Sequence, residues 1–434
     1  MAVSPKSRTE GAIWGVCVAD ALGGPVQFKD PNTFEPITGL RYVAPFRQPA
    51  GSYSDDGSMT LALANSFVES EMQYNHIMSI KFYVEWMTHG RFSTIDRAWD
   101  MGYSTRKALS IWKKSRMENI EGAQARIDIE LDSEERSGNG SLMRIVPVGV
   151  VYWRDVRLAR EVARVQGRVT HPSLPCVEAC EAYTELVCGV MNGHTKQQLF
   201  DTFSAFPFTH RALKERMAQY KTISDWTAKT SEHITSSGWV VDTLEVALWA
   251  FFKYDSWKKG ALAVVNRGGD SDTAGAVYGG LAGAYYGVEF IPQEWKDGMQ
   301  RKDFIGGIAN KLAQGHKEQA ICNTTQRISH ETETPVVDPS ALTWQSSVKS
   351  SIPTINQNIL ASTLCFTNRP ASFTRSSKDQ LRTQLSPMSQ VNESCVFIPI
   401  SSEDIKTYVT QAWAEVRPIA EVLPKFTGSH DSFQ

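Results

Sequence analysis

The sequence lacks any run of 18 consecutive apolar residues, so it predicts no membrane-spanning helix. Its first apolar stretch, from Ala12 to Leu22, is interrupted by Asp20 and does not have the pattern of a signal peptide. Neither sign of charge dominates, since 45 basic residues stand against 47 acidic ones, and this balance argues against a general polyanion-binding surface. We therefore expect a cytoplasmic protein that associates with neither a membrane nor nucleic acid.

The chain also has little cysteine, and apolar and polar residues seldom alternate in the pattern typical of β-strands. Its seven cysteines form no CxxC pair and no His/Cys zinc spacing, so we interpret them as reduced, buried thiols. The 434 residues, 41% of them apolar, are about three times the usual domain length of roughly 100–150 residues and can bury a large core.

Apolar residues recur at helical spacing through most of the first 315 positions. This pattern predicts an all-α bundle of ten or more helices, which we place at residues 1–315. Separate helices are predicted over 66–86, 94–112, 156–165, 175–190, 239–252, 292–299 and 304–312.

Composition changes after residue 315. Between residues 321 and 400 there are 23 Ser and Thr and no sustained period. Such a segment cannot easily bury enough apolar surface to offset its ordering entropy. We predict that 316–434 is a Ser/Thr-rich tail of low order, with one possible helix at 402–422.

The first acidic motif is Ser54-Asp55-Asp56 at the start of a predicted helix. Ser54 is a suitable N-cap. Adjacent carboxylates in a first turn are also explained by the helix dipole alone, so this motif by itself does not define a site.

The second acidic motif is Asp270-Ser271-Asp272-Thr273, and it leads into a glycine-rich helix. Each glycine in a helix interior costs about 1 kcal/mol relative to alanine, so a stripe of them indicates that another backbone packs very close. The stripe consists of Gly275, Gly279, Gly283 and Gly287.

Together the two motifs offer four carboxylates and, from Ser54 and Thr273, two hydroxyls. Calcium loops also contain Asp-x-Asp, but the twelve-residue pattern with its terminal glutamate is missing here. Hard cations such as Mg²⁺ or Mn²⁺ suit these ligands, and two ions about 3.5–4 Å apart need such a set.

These motifs, with three others, resemble the ADP-ribosylglycohydrolases, the relatives of the dinitrogenase reductase-activating glycohydrolase. The resemblance covers roughly residues 8–315 and implies an all-α fold with a binuclear Mg²⁺ or Mn²⁺ centre in a cleft. The other motifs are the opening Gly11 to Pro25, the segment Gly138 to Arg144, and Thr170-His171.

The resemblance also implies roles for particular residues. The metal ligands would be Ser54, Asp55, Asp56, Asp270, Asp272 and Thr273. The ADP-ribose site would be lined by Gln27, Gly138, Asn139, Gly140, Ser141, Met143 and His171. The glycines would let backbone N–H groups approach a diphosphate or ribose, whereas a capping or packing role is the alternative for His171. Arg144 and Arg267 would contact phosphate or have structural roles.

One departure concerns the catalytic base. The family often has glutamate at the position of Gln27, and glutamine cannot accept a proton as a base. Either another carboxylate acts as the base or the substrate differs.

The expected function is a metal-dependent hydrolase that cleaves the glycosidic bond of ADP-ribose conjugates, on a protein side chain or in a small ADP-ribosyl ester, and releases ADP-ribose. Asp55 or Asp56 would orient or deprotonate the attacking water. The leaving group stays open between arginine, serine, an acetyl ester and another nucleophile. The alternatives are a non-catalytic ADP-ribose-binding or structural member of the same fold, and a hydrolase of a different ribosylated small molecule.

Overall fold

The structure is a computed structural model that describes residues 3–315 of the chain. Within these residues strand pairing is limited to two isolated bridges, Val43–Gln48 and Gly138–Trp239, so the predicted all-α fold is confirmed. The α-helices are α1 Pro5–Gly23, α2 Asp55–Glu69, α3 His76–His89, α4 Tyr103–Ser115, α5 Ile120–Leu131, α6 Val146–Val151, α7 Val156–Arg168, α8 Leu174–Met191, α9 Lys196–Ser204, α10 Arg211–Met217, α11 Ile223–Ala228, α12 Val240–Lys253, α13 Trp257–Val265, α14 Ser271–Tyr286, α15 Gln293–Asp297 and α16 302–315.

The predicted tail at 316–434, with its possible helix at 402–422, lies outside the described residues. The domain boundary at 315 therefore stays a prediction. Among the helices of residues 3–315, none combines the length and the apolar character that crossing a membrane requires.

Two predicted helices were wrong in their extent. The helical spacing of apolar residues over 66–86 extends across two helices. Helix α2 ends at Glu69, and Asn75 caps α3 by accepting a hydrogen bond from Met78 N at 2.9 Å. Both helices turn apolar residues to one core, so the spacing continues across the break. The predicted helix at 94–112 begins only at Tyr103, and the residues before it form an irregular loop.

Helices α1 and α14 pack backbone to backbone, as the glycine stripe predicts. A Cβ atom added to Gly283 would lie 2.0 Å from Gly11 O, and one added to Gly279 would lie 2.1 Å from Gly15 O. Real Cβ atoms do not approach so closely, so these two helices require glycine at their crossing.

The same antiparallel register brings the end of α1 to the start of α14. A Cβ atom on Gly23 would lie 2.4 Å from Asp272 N, and Ser271 Oγ donates a hydrogen bond to Gly23 O at 3.0 Å. Asp20, in the last turn of α1, therefore lies beside Asp272.

Candidate active site

The first turn of α2 is attached to α1 through Asp20. Ser54 N donates to both oxygens of the Asp20 carboxylate, at 3.0 and 2.9 Å, and Gly57 N donates to Oδ2 at 2.9 Å. These are free N–H groups at a helix start, where a carboxylate is favourable. Asp20 thus fixes the position of the first acidic motif, and burial raises the pKa of Asp20 to about 7.

Three buried carboxylates lie close enough to share one metal ion. Oxygen atoms of Asp20, Asp56 and Asp272 are all within 4.8 Å of one another. Asp56 Oδ2 accepts hydrogen bonds from Ser54 Oγ at 2.9 Å and from Thr273 Oγ1 at 3.4 Å. The two acidic motifs, more than 200 positions apart in sequence, are therefore brought together.

Not all of these oxygens have hydrogen-bond donors. Asp56 Oδ1 and both oxygens of Asp272 are buried and have no donor among residues 3–315. Buried carboxylate oxygens without a partner are costly, and Mg²⁺ or Mn²⁺ binds such oxygens. The residues present therefore fit a divalent cation, and the oxygens of Asp56 and Asp272 are the ones that most need it.

Three further aspartates surround this group. Asp270 Oδ2 accepts a hydrogen bond from Asn139 Nδ2 at 2.8 Å, and Asp55 is 7% exposed at the start of α2. Asp100 approaches from the loop before α4. We use the term acidic cluster for Asp20, Asp55, Asp56, Asp100, Asp270 and Asp272.

The carboxylates of the acidic cluster raise one another's pKa. Burial, and then the carboxylates around it, raise the pKa of Asp55, Asp56 and Asp272 well above the usual range. Like charges this close cannot all stay ionised without a counter-charge. A cation in their midst would supply it and keep the aspartates deprotonated.

Asp100 lies near Asp272 and Gln27, and both side chains affect its pKa. Its backbone has a left-handed φ of 57°, which turns the chain between α3 and α4. Burial raises the pKa of Asp100 to about 6, while the side chains of Asp272 and Gln27 beside it lower it. Gln27 is 5% exposed, and the oxygens Asp100 Oδ2 and Gln27 Oε1 have no donor among residues 3–315.

The segment after Gln27 is held against the second acidic motif by its backbone. Phe28 N donates to Gly269 O at 2.7 Å, and Gly269 N donates to Lys29 O at 2.8 Å. Gln27 is therefore anchored one residue away from the segment that carries Asp270.

Residues 138–143, which we call the glycine loop, lie next to the acidic cluster. Asn139 connects the two, because its Nδ2 donates to Asp270 and also to Thr243 Oγ1 at 2.9 Å. Asn139 N donates to Gly238 O at 3.1 Å. The glycine loop is thus fixed to α12 and to the acidic cluster at once.

Two members of the glycine loop turn their side chains toward the interior. Ser141 and Met143 are 0% and 3% exposed, and Ser141 Oγ is the acceptor of the Cys180 thiol at 3.4 Å. These residues offer a ligand their backbone more readily than their side chains.

His171 packs directly against the glycine loop. A Cβ atom on Gly140 would lie 2.7 Å from His171 Cε1, so this position requires glycine. His171 Nδ1 and Thr170 Oγ1 share a hydrogen bond of 2.7 Å. Burial, together with the charge of Arg144, lowers the pKa of His171 to about 3, so the imidazole is neutral at ordinary pH.

Sequence reasoning did not assign two residues of the acidic cluster. Asp20 belonged to the opening motif but had no role, although an aspartate inside an apolar helix indicates a buried partner. Asp100, between Trp99 and Met101, has no motif signal at all. Its place depends on the tertiary position of an irregular loop.

Comparison with known proteins agrees with this geometry. The ADP-ribosylglycohydrolase family model matches residues 1–321. The chain is 31% identical over 305 residues to the ADP-ribosylarginine hydrolase Tri1 of Pseudomonas putida, which covers 70% of this chain and 77% of that protein. It is 26% identical to the ADP-ribosyl-[dinitrogen reductase] glycohydrolase of Rhodospirillum rubrum, with 69% and 92% covered.

A solved structure extends the comparison to three dimensions. An ADP-ribosylglycohydrolase-related protein complex contains a chain with a TM-score of 0.59 and 30% identity, covering 72% of this chain and 99% of that one. The family model and these similarities identify an enzyme that hydrolyses glycosyl bonds, and the helical fold agrees with them. The chain belongs to the ADP-ribosylglycohydrolase family, and its activity is the hydrolysis of ADP-ribose conjugates.

Proposed function

We propose that this enzyme releases ADP-ribose from arginine side chains and uses two divalent cations, Mg²⁺ or Mn²⁺, bound in the acidic cluster. The observation that carries the proposal is the set of buried, donor-free oxygens on Asp56 and Asp272 beside the glycine loop. The strongest charges that act on Asp55 and Asp272 all come from other carboxylates, which supports more than one cation.

The proposed metal ligands are four aspartates of the acidic cluster and two hydroxyl side chains next to them. Bound there, the cations would polarise the ribose hydroxyls and offset negative charge. Both oxygens of Asp20 already accept hydrogen bonds from backbone N–H groups, so we propose that Asp20 positions the start of α2 and is not a metal ligand. The proposed ligands are Ser54, Asp55, Asp56, Asp270, Asp272 and Thr273.

Asp100 is our preferred general base in place of Gln27. Gln27 can orient a neighbour through its amide, but it cannot take a proton. Asp100 lies beside Gln27 and has an oxygen without a donor. In this scheme Asp100 orients the water that attacks the anomeric carbon and accepts its proton, while Asp55 is the second candidate for that role.

The proposed reaction is the hydrolysis of the bond between ribose and arginine. Water adds its oxygen to the anomeric carbon, the bond from that carbon to the guanidine nitrogen breaks, and the nitrogen gains a proton. The products are ADP-ribose and unmodified arginine.

We favour arginine as the leaving group because of the activity of the Pseudomonas relative and because of the aromatic side chains at the edge of the site. The Pseudomonas relative is an ADP-ribosylarginine hydrolase. Phe28, which follows Gln27, is 69% exposed, and its ring centroid lies 6.3 Å from that of Phe46. Phe46 in turn packs against the buried ring of Trp99, at 5.2 Å between centroids. A planar guanidinium stacks well on such rings.

A panel of three substrates tests this function. The purified chain is incubated with an ADP-ribosylarginine peptide, an ADP-ribosylserine peptide and O-acetyl-ADP-ribose, each with Mg²⁺, Mn²⁺ or EDTA, and free ADP-ribose is quantified by chromatography. We expect the arginine peptide to react fastest and EDTA to stop the reaction.

Other outcomes have distinct meanings. Faster release from serine or from the ester would overturn the arginine assignment and leave the family activity intact. Tight binding of ADP-ribose without turnover of any substrate would favour the non-catalytic alternative, for which Gln27 is the supporting observation.

A further inference from the structure

Arg144, which ends the segment Gly138 to Arg144, is completely buried. Its guanidinium donates to Gly140 O at 2.8 Å and to Gln166 O at 3.4 Å, and it lies 4.8 Å from the centre of the Tyr83 ring. Its Nε has no acceptor among residues 3–315, and both oxygen acceptors are backbone carbonyls rather than carboxylates. Arg144 therefore does not reach a ligand itself, and its charge faces the interior side of the glycine loop.

The bond to Gly140 O fixes the direction of one peptide group. The described chain contains no cis peptide bond, and in a trans peptide the C=O and the following N–H point in opposite directions. Because Gly140 O points toward the guanidinium, the N–H of Ser141 points away from it.

Several N–H groups of the glycine loop have no internal acceptor. Asn139 N and Met143 N are bonded to backbone oxygens, but the N–H groups of Gly140, Ser141 and Leu142 make no hydrogen bond within residues 3–315. Residues 140–142 are buried, and buried backbone donors are nearly always paired, so three in a row indicate an acceptor that comes from outside residues 3–315. Successive free N–H groups of this kind form concavities that bind anions.

We propose that Arg144 is a positioning residue for recognition of the substrate diphosphate: it holds the Gly140 carbonyl inward, so that the N–H groups of the glycine loop face the anion, and it supplies positive charge from behind the loop. This inference rests on the proposed function, since it requires an ADP-ribosyl ligand. The bond between Asn139 and Asp270 supports it, because it sets the distance between the diphosphate site and the acidic cluster.

A purely structural role would not need a cation. Lysine or methionine can fill much of the same volume, but neither can present two N–H donors in a fixed plane to two carbonyls. A buried cation without a carboxylate is unfavourable in the empty protein and becomes favourable when an anion binds nearby.

The test measures binding by calorimetry with two probes, ADP-ribose and inorganic pyrophosphate. The proteins are the parent chain, Arg144→Lys, Arg144→Met, and the control Cys188→Ala, which removes a buried side chain of α8 that is not part of the glycine loop. We expect both Arg144 variants to weaken ADP-ribose binding by roughly 10- to 100-fold and to raise KM more than they lower kcat. The control should change the melting temperature and leave the dissociation constant within about threefold.

A second variant covers the case in which the Arg144 variants do not fold. Gln166→Glu keeps the size of a side chain that hydrogen-bonds to Tyr83 OH and places a carboxylate near Arg144. We expect it to fold, because it gives the arginine a partner, and to bind pyrophosphate more weakly, because it neutralises the charge behind the loop.

The outcomes separate this inference from the proposed function. If the parent chain binds and hydrolyses ADP-ribosyl substrates, and a folded Arg144→Lys or Gln166→Glu protein binds both probes as tightly as the parent, the positioning role is wrong and the proposed function stands. If the parent chain binds no ADP-ribose at all, the proposed function fails and this inference fails with it.

Discussion

The acidic cluster and the glycine loop are joined by the bond between Asn139 and Asp270, yet they carry opposite unsatisfied groups. Within residues 3–315, the acidic cluster has buried oxygens without donors, and the buried residues of the glycine loop have N–H groups without acceptors. A ligand with a cation-bound diol at one end and an anion at the other would satisfy both. The site therefore suits a molecule with two unlike ends, which matches a ribose linked to a diphosphate.

The largest effect should come from removing one donor-free carboxylate of the acidic cluster. Asp272→Asn keeps the shape but loses the charge, so we expect weaker binding of Mn²⁺ and loss of turnover by about 10⁴-fold, the scale of several kcal/mol of metal assistance. Calorimetry with Mn²⁺ and an ADP-ribose release assay measure the two effects. Asp201→Asn, on the exposed side of α9, is the matched control. Unchanged Mn²⁺ affinity in Asp272→Asn would exclude Asp272 as a ligand.

A smaller loss is expected for the proposed base. Asp100→Asn should lower kcat by roughly 10²- to 10³-fold, because general-base assistance is lost while the ligands of the cations stay. Mn²⁺ affinity should change by less than about tenfold, which distinguishes this variant from Asp272→Asn. If Asp100→Asn retains full kcat, and Asp55→Asn loses kcat while its Mn²⁺ affinity is unchanged, the base is Asp55.

The acidic cluster also depends on the close contact of α1 with α14. Gly283→Ala places a methyl group 2.0 Å from Gly11 O, so the helices must separate, and we expect a loss of about 3 kcal/mol or more in the free energy of unfolding. Gly307→Ala in α16 is the control, because no atom lies within 4 Å of the added Cβ, and it should gain roughly 0.5–1 kcal/mol. Equal melting temperatures for the two variants would contradict the packing argument.

The two regions should also respond to pH with opposite sign. In the metal-free protein, the raised pKa of Asp100, about 6, gives stability that is full below pH 4 and is lost as pH rises through 6. The lowered pKa of His171, about 3, gives stability that is full above pH 6.5 and is lost as pH falls toward 3.

Melting temperatures in EDTA between pH 4 and pH 8 test this contrast. Relative to the parent chain, Asp100→Asn should gain stability as the pH rises, whereas His171→Gln should gain it as the pH falls. Parallel curves for the parent and both variants would show that neither group is perturbed as described.

The sequence was informative where the chemistry follows from local pattern. The spacing of the glycine stripe predicts the close packing of α14, and the family resemblance predicts that the two acidic motifs meet at one site. The helix break between α2 and α3 was missed because both helices face one core. Asp100 could not be found, since only the packed position of its irregular loop brings it to Gln27. The partner of Arg144 was equally invisible, because it is a backbone carbonyl.

The smallest expected change concerns Gln27, and it tests whether the acidic cluster has already replaced the missing glutamate. Gln27→Glu would add a carboxylate beside Asp100, where burial and like charges disfavour a further anion. If Asp100 or Asp55 is the working base, turnover of the arginine peptide should fall or stay within tenfold of the parent rate, because the new group adds no function that is lacking. If the enzyme has only lost an ancestral base, turnover should rise by about tenfold or more, within the range that general-base catalysis supplies. We expect the first result, since the carboxylates of the acidic cluster are all present around Gln27 and Asp100 lies beside its amide. Gln27→Ala is the control for packing, because it removes the amide without adding charge. If turnover rises in Gln27→Glu and does not fall in Asp100→Asn, Asp100 is not the base. The position of Gln27, in the segment after α1, would then be the place of the base.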